Sequence, residues 1–463
     1  MTKYILIIVV TVFGATHLKA QEKLSLSEAI KKGLSNNYDI LVEDENVTKT
    51  ANNNSWGQAG RMPKVDVTAT NNNSVSNLNN DPQFNFGFVS PGFTLNNSIS
   101  NTITPTVSVG WTLFSGNKIT MTKRQLENLQ RESEGNADIV VSNTIQTIIL
   151  GYYNVMLEKE RLNRFQQQLD LSRDKFAYWK LKSDVGGAVK SEVLLEEGNY
   201  LTDSTNYIQQ QLAYRNALRK LNFVLAEDDV DKEYDLTSNL SMNWDELILN
   251  DLMEKLDNNV DIKKLYISQE VLNNTLGIRK ADRWPVLTMN GGYRYNFNRQ
   301  DLTNATSTLT DSNGDPFEAP ESATIARTGS AFINFSLTFN LYNGGKINRA
   351  IQNAQTDIEI GEIRIDKMKA SVFKDLSDAY DAYSIRGQVY EINKRKREAA
   401  KQNLEISTEK YRNGSINSFD FRIVQNNYLI ASIEELQSIY NLVDSRVTLM
   451  RLTGGLLENY VNE

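Results

Sequence analysis

The sequence contains no cysteine and a single histidine, His17. His17 lies inside a segment that reads as a cleaved signal peptide, so the mature chain is expected to carry neither residue. Disulfides, zinc fingers, cysteine nucleophiles, histidine triads and c-type haem attachment are thereby excluded. Lipid attachment through an N-terminal cysteine falls with them. Carboxylate chemistry stays open, although no acidic pair stands out among the 57 Asp and Glu. Those acids outnumber 50 Lys and Arg, for a formal charge of −7. An acidic chain without clustered basic residues is not expected to bind nucleic acid. Neither a cofactor nor a metal is expected.

Proline is scarce, with 7 in 463 residues. All of them fall in two windows, Pro63–Pro105 and Pro285–Pro320. Proline breaks helix interiors, because it lacks the amide donor and clashes with the preceding turn. The rest of the chain is therefore free to form very long helices, interrupted by two non-helical excursions. Long apolar runs are also missing. No stretch of about 18 apolar residues exists, so no membrane-spanning helix is expected. The N-terminus has Lys3, a short apolar run from Tyr4 to Ala15, and Ala20 before Gln21. That pattern describes a secretory signal peptide over residues 1–20.

What the chain does have is an internal repeat. Leu34-Ser-Asn36-Asn37-Tyr-Asp39-Ile40 matches Leu256-Asp-Asn258-Asn259-Val-Asp261-Ile262 at an offset of 222, and Arg61-Met-Pro63 matches Arg283-Trp-Pro285. Leu113-Phe-Ser-Gly116-Asn-Lys118 then matches Leu341-Tyr-Asn-Gly344-Gly-Lys346 at 228, as Gly186 matches Gly414. The first repeat is expected over 21–226 and the second over 246–463, joined by an acidic linker, 227–245. Ser25-x-x-Glu28 reads as a capping box opening a helix that runs to about Arg61. A strand hairpin over about 64–114, a long helix over 116–183, a tip turn and a helix over 189–225 follow. The second repeat reads as a helix over 246–282, a hairpin over about 286–342, a helix over 345–412, a tip and a helix over 416–452.

A helix over 116–183 would be about 100 Å long, longer than a globular domain is wide. Such helices must pack side by side. Ile148, Val155, Leu162, Leu169 and Phe176 recur every seven residues, and Leu436, Tyr440, Val443 and Val447 alternate steps of four and three. Both are coiled-coil-like seams.

The excursions change period from 3.6 to 2. Val107, Val109, Trp111 and Leu113 alternate with polar residues. So do Tyr293, Tyr295 and Phe297, and again Ile333, Phe335, Leu337, Phe339 and Leu341. Apolar-out, polar-in alternation with aromatics describes membrane-barrel strands; a soluble sheet with one wet face shows the same alternation. The links 76–100 and 300–326 read as exposed loops, rich in Asn, Ser, Thr and Asp. Four strands per chain cannot close a barrel, and open edges are not tolerated in lipid. Spanning a bilayer would therefore need several copies, two for eight strands or three for twelve.

These features together resemble the TolC-like outer-membrane efflux protein family. The carriers are Trp111-Thr-Leu-Phe-Ser-Gly116 and Phe339-Asn-Leu-Tyr-Asn-Gly344 at the strand-to-helix junctions, and Tyr411-Arg-Asn413-Gly414 followed by Asp420. The resemblance covers essentially the whole mature chain. It implies a mixed membrane protein: a homotrimer with a long helical, coiled-coil-like periplasmic barrel and four transmembrane strands per chain in one shared β-barrel. It implies an exit duct for multidrug efflux or type I secretion, with a periplasmic adaptor and an inner-membrane pump of RND or ABC type as partners. Outer-membrane lipid would meet Trp111, Leu113, Tyr293, Tyr295, Phe335, Leu337 and Phe339.

At the periplasmic tip, the resemblance implies a gate at Asp420, Tyr411 and Glu192. It implies adaptor docking at Val185, Gly186, Gly187, Asn413 and Gly414. Three Asp420 carboxylates would form a ring that attracts cations. The chain departs from the family pattern at Ile423, where a second acid often stands, at Ile416, where a basic residue is common, and at Gly187, which replaces a Leu. No phosphate-binding loop occurs, so energy must come from the pump. The alternative is a soluble periplasmic coiled-coil scaffold without channel activity. Enzymatic activity is not expected.

Overall fold

A computed structural model describes residues 22–80, 83–85, 88–90, 93–238, 240, 247–301 and 323–460. The expected signal peptide, most of the link 300–326 and part of the acidic linker lie outside the described residues. In chain order the elements are β1 (Glu22–Leu24), α1 (Leu26–Asn36), α2 (Tyr38–Asn53), β2 (Lys64–Asn80), β3 (Gln83–Asn85), β4 (Phe88–Ser90) and β5 (Phe93–Phe114). Then come α3 (Lys118–Asp184), α4 (Lys190–Val224), β6 (Tyr234–Leu236), α5 (Leu249–Met253), α6 (Val260–Ala281), β7 (Val286–Asp301) and β8 (Thr324–Thr338). The chain ends with α7 (Lys346–Arg412), α8 (Ser418–Leu452) and α9 (Gly455–Tyr460). Contacts divide it into two compact units.

The first unit holds residues up to Thr48, Glu132–Tyr266 and Ile363 onward. Its apolar side chains form two cores. Ile145, Ile148, Tyr152 and Val155 of α3 pack with Leu218 and Leu221 of α4, Ile30 of α1 and Leu456 of α9. Val372, Leu376 and Tyr383 of α7 pack with Ile262 of α6. α8 serves both, giving Val443 and Val447 to the first core and Ile439, Leu442 and Leu449 to the second. A single seam was expected on α8; with two apolar faces it is buried on both sides. Each fully buried Leu or Ile contributes about 1.5–3 kcal/mol. The Tyr152 hydroxyl, buried among them, donates to Leu24 O at 2.9 Å, so its burial leaves no polar group unpaired.

The expected capping box forms: Ser25 Oγ accepts from Glu28 N and the Glu28 carboxylate accepts from Ser25 N, at 3.2 and 2.8 Å. The helix expected to run to Arg61 instead breaks after Asn36 and ends at Asn53. The cause is Asn37. Its Oδ1 accepts from Asp39 N and Ile40 N, restarting the helix as an N-cap, while its Nδ2 donates to Val224 O at 2.8 Å. The second repeat does the same: Asn259 Oδ1 accepts from Asp261 N and Ile262 N, and its Nδ2 donates to Leu452 O at 3.0 Å. The acidic linker contains β6, which pairs in parallel with β1. Helix α9 was not expected.

The second unit holds Lys49–Arg131 and Ile267–Glu362. Its sheet is four-stranded and antiparallel throughout, in the order β2-β5-β7-β8. β2 and β8 are its edges. The strands outrun the alternating segments: β2 continues to Asn80 and β5 begins at Phe93, so much of the expected 76–100 loop is strand. Asn and Ser have little β-propensity of their own, and here the cross-strand ladder overrides it. The sheet leads into the helices through a pair of left-handed residues in each repeat, Gly116-Asn117 and Gly344-Gly345, at φ +61°, +72°, +66° and +74°. Gly and Asn are the residues that adopt this conformation at least cost. A side chain at Gly116 would also collide with Trp284.

Candidate functional site

Two surfaces collect the residues singled out by the sequence. The first lies in the first unit, at the turns α3–α4 and α7–α8. Both helices enter their turn through the same hydrogen bonds. Gly186 N bonds to Ser183 O and Gly187 N to Lys182 O; Gly414 N bonds to Tyr411 O and Ser415 N to Lys410 O, all within 2.8–3.0 Å. This is a Schellman motif, which needs a left-handed residue, and Gly186 and Gly414 supply it at φ +76° and +71°. Val185, Gly186, Gly187, Asn413 and Gly414 are all exposed. Val185 and Val189 are large apolar side chains left in solvent, at 77% and 61% exposure.

α8 restarts on Asn417, whose Oδ1 accepts from Asp420 N at 2.8 Å while its Nδ2 donates to Asp420 Oδ2 at 2.9 Å. Asp420 is therefore exposed, in the first turn of a helix, where the dipole favours a carboxylate. Glu192 occupies the matching first turn of α4 and is half-buried. α4 has no side-chain cap.

Above the turns the repeats are joined by side chains the sequence did not reveal. Tyr411 stacks on Phe421 with centroids 4.6 Å apart, and its hydroxyl accepts from Trp179 Nε1 at 3.1 Å. Lys175 Nζ lies 5.3 and 5.5 Å from the two ring centroids, in cation–π range. The same ammonium pairs with Glu196 at 3.1 Å, and Glu196 also accepts from Ser418 Oγ. Burial pushes the Lys175 pKa below its usual value, with the Glu196 charge opposing the shift. Seven residues along α4, Asp203 receives two parallel bonds from Arg422 and one from Gln168 Nε2.

The groups that engage Tyr411 are Trp179, Lys175 and Phe421. Lys175, Glu196, Asp203 and Arg422 each look in sequence like one more charge on a helix surface. Only the pairing of α3 and α4 with α8 brings them together, with Glu196 and Asp203 buried and Lys175 and Arg422 half-buried over them. The arrangement joins helices; no nucleophile and base are brought together in it. Among the described residues, no three His, Cys, Asp or Glu are placed to hold a metal.

The second surface is one face of the sheet. Register puts Trp111 beside Met289 and Phe335, Val109 beside Val65 and Gly291, and Val107 beside Val67 and Tyr293. Tyr295 and Leu337 share this face, in pairs with Gly329 and Leu287. Leu113 falls in a bulge between Thr112 and Phe114 and has no partner on β7. Phe339 follows the end of β8 and is exposed. The opposite face carries hydroxyls and amides: Asn298 Oδ1 accepts from Ser100 Oγ and Thr102 Oγ1, and Gln300 Nε2 donates to Ser98 Oγ. No described helix is long and apolar enough to cross a membrane.

A model of a family described as outer membrane efflux protein matches residues 29–227 and 252–455. Comparison with curated protein sequences finds no match. Solved structures are similar over nearly the whole chain. The CmeC outer membrane channel of Campylobacter jejuni is 17% identical with a TM-score of 0.72, covering 93% of this chain and 85% of that one. The outer membrane protein VceC of Vibrio cholerae is 12% identical at 0.68, covering 93% and 96%. The open state of the MtrE outer membrane channel of Neisseria gonorrhoeae is 15% identical at 0.63, covering 93% and 89%.

Proposed function

The chain belongs to the outer membrane efflux protein family, and from that premise we propose that three copies form an exit duct completing a tripartite export system. The carrying observation is the open four-stranded sheet. It has one apolar face and two unpaired edges, β2 and β8. Lipid tolerates neither free edges nor unpaired backbone. Joining β8 of one copy to β2 of the next removes both, and three copies give a twelve-stranded barrel wide enough for a lumen. The polar face then lines the lumen, and Trp111, Leu113, Tyr293, Tyr295, Phe335, Leu337 and Phe339 meet lipid.

The helices support the same assembly. Leu194, Leu201 and Ile208 recur every seven residues along α4 and are 53%, 57% and 63% exposed. An uncovered heptad seam of this kind suits packing against another copy. The exposed tip turns, with Val185, Gly186 and Gly187 in one repeat and Asn413 and Gly414 in the other, are the docking sites for a periplasmic adaptor and its pump. Asp420 and Glu192 supply charge at the entrance. Tyr411 and its neighbours hold the helices together until the adaptor engages. Transport is passive, without bond chemistry in this chain.

Because the chain lacks cysteine, cysteines placed at Val75 on β2 and Ile325 on β8 would be the only thiols. A thiol-reactive cross-linker applied to detergent-extracted protein is expected to give bands up to a trimer. Monomer alone would contradict the assembly.

A further inference from the structure

The apolar face of the sheet gives way to charged residues at the rim remote from the helices. Across four strands the register aligns Phe114, Leu287 and Leu337, then Trp111, Met289 and Phe335, and continues to Ala69 with Pro105 and to Tyr295 with Gly329. No charged side chain occurs on this face over that span. The first cation is Arg327, paired with Phe297. The next is Arg299, paired with Asn101 and Ile325.

Arg299 and Arg327 are diagonal neighbours on β7 and β8, a relation that sets side-chain origins roughly 7–8 Å apart. Both are exposed, and Arg327 lies over the Phe297 ring at 5.7 Å. Neither forms an ion pair with a described carboxylate. Asp301 stands on the same face two residues beyond Arg299, paired with Ile99, and the Asn101 amide donates to Asn71 Oδ1 at 3.1 Å, so this rim is polar and its two arginines outweigh one carboxylate. The other arginine of the sheet, Arg294, is on the opposite face, over Phe332. The two guanidiniums sit toward the strand ends remote from the junctions into α3 and α7.

We propose that Arg299 and Arg327 form a binding site for the phosphate of an anionic lipid headgroup, in the leaflet away from the helices. This rests on the membrane-barrel reading above. Guanidinium matches a phosphate with two parallel hydrogen bonds. At the edge of a hydrocarbon layer that pairing is screened less than in water. Long arginine stems reach from an apolar band to headgroup level, and two of them converge on one phosphate where a single side chain would not hold it.

The test uses the full-length protein in mild detergent, titrated with diphosphoryl lipid A and followed by native mass spectrometry. The R299Q/R327Q variant is expected to bind about tenfold more weakly or worse. R294Q is expected to bind as the wild type does. Lipid A stripped of phosphate is expected to bind the wild type and the double variant alike. Wild-type affinity in R299Q/R327Q, or an equal loss in R294Q, overturns the site. Should R299Q/R327Q assemble poorly, R299K/R327K keeps the charge without the two-pronged donor. It is expected to bind with intermediate affinity, and equality with wild type contradicts the bidentate geometry. A chain that stays monodisperse without detergent contradicts the barrel itself, whichever way the lipid titration falls.

Discussion

Arg422 closes two parallel hydrogen bonds on Asp203, at 2.7 and 2.6 Å, across the interface of α8 with α4. The Asp203 side chain is only 2% exposed. A buried pair of this kind adds little over an apolar pair of equal size, because desolvation offsets the attraction. Removing one partner is a different matter. R422M leaves a buried, uncompensated carboxylate and is expected to cost about 3–5 kcal/mol. D203L added to R422M is expected to recover most of that. Denaturant midpoints of the three proteins check it.

Asp420 has a local role, capping α8 with Asn417, and a proposed role at the channel entrance. D420N separates them. An amide at this position keeps the backbone bond from its own N–H to Asn417, so stability is expected to change by under about 1 kcal/mol. Block of the pore by multivalent cations is expected to weaken. Unchanged block, measured in single-channel recordings, removes Asp420 from the entrance.

The C-termini of α4 and α8 end in equivalent left-handed residues, yet one is Ala226 at φ +53° and the other Gly454 at φ +75°. Ala226 carries its conformation under strain of about 1–2 kcal/mol. The A226G variant is expected to be more stable by about 0.5–1 kcal/mol after the greater backbone freedom of glycine is counted. The reverse change at the tip, G414A, is expected to destabilise by a similar amount or more. Thermal unfolding of both variants measures the signs.

Glu227 joins the linker to the N-terminal helix. It accepts from Lys32 and Tyr234 and pairs with Lys232 at 3.5 Å. Burial alone would raise its pKa, but the hydrogen bonds from Lys32 and Tyr234 and the two positive charges outweigh it and hold the pKa below the ordinary 4.5. A folded pKa below the unfolded one means the unfolded chain takes up the proton first. The stabilisation is therefore fully present above about pH 4.5 and is lost as pH falls through the folded value. E227Q is expected to be less stable than wild type near neutrality, with the gap closing under acid. Urea midpoints across that window follow it.

The sequence made the large architecture legible because the underlying signals are local. Prolines confined to two windows marked the excursions, period-2 alternation marked their strands, and glycines 228 apart marked the tips. Three things escaped. Asn37 and Asn259 break their helices through side-chain bonds to Val224 O and Leu452 O, partners nearly 200 residues away. The Asn- and Ser-rich parts of β2 and β5 read as loop, since their strand character comes from pairing with each other. The cluster of Lys175, Glu196, Trp179 and Tyr411 depends on helices of different repeats meeting, which no spacing along one helix encodes.

In the proposed duct, contacts around Tyr411 hold the membrane pore nearly closed. Planar-bilayer recording of detergent-extracted protein tests it most directly, comparing wild type with K175M, which removes the ammonium from Glu196 and from both rings. The expected result is discrete, uniform conductance steps, small or infrequent in wild type and several-fold larger or more frequent in K175M. Properly assembled protein that produces no steps in either form would show that these chains do not form a pore.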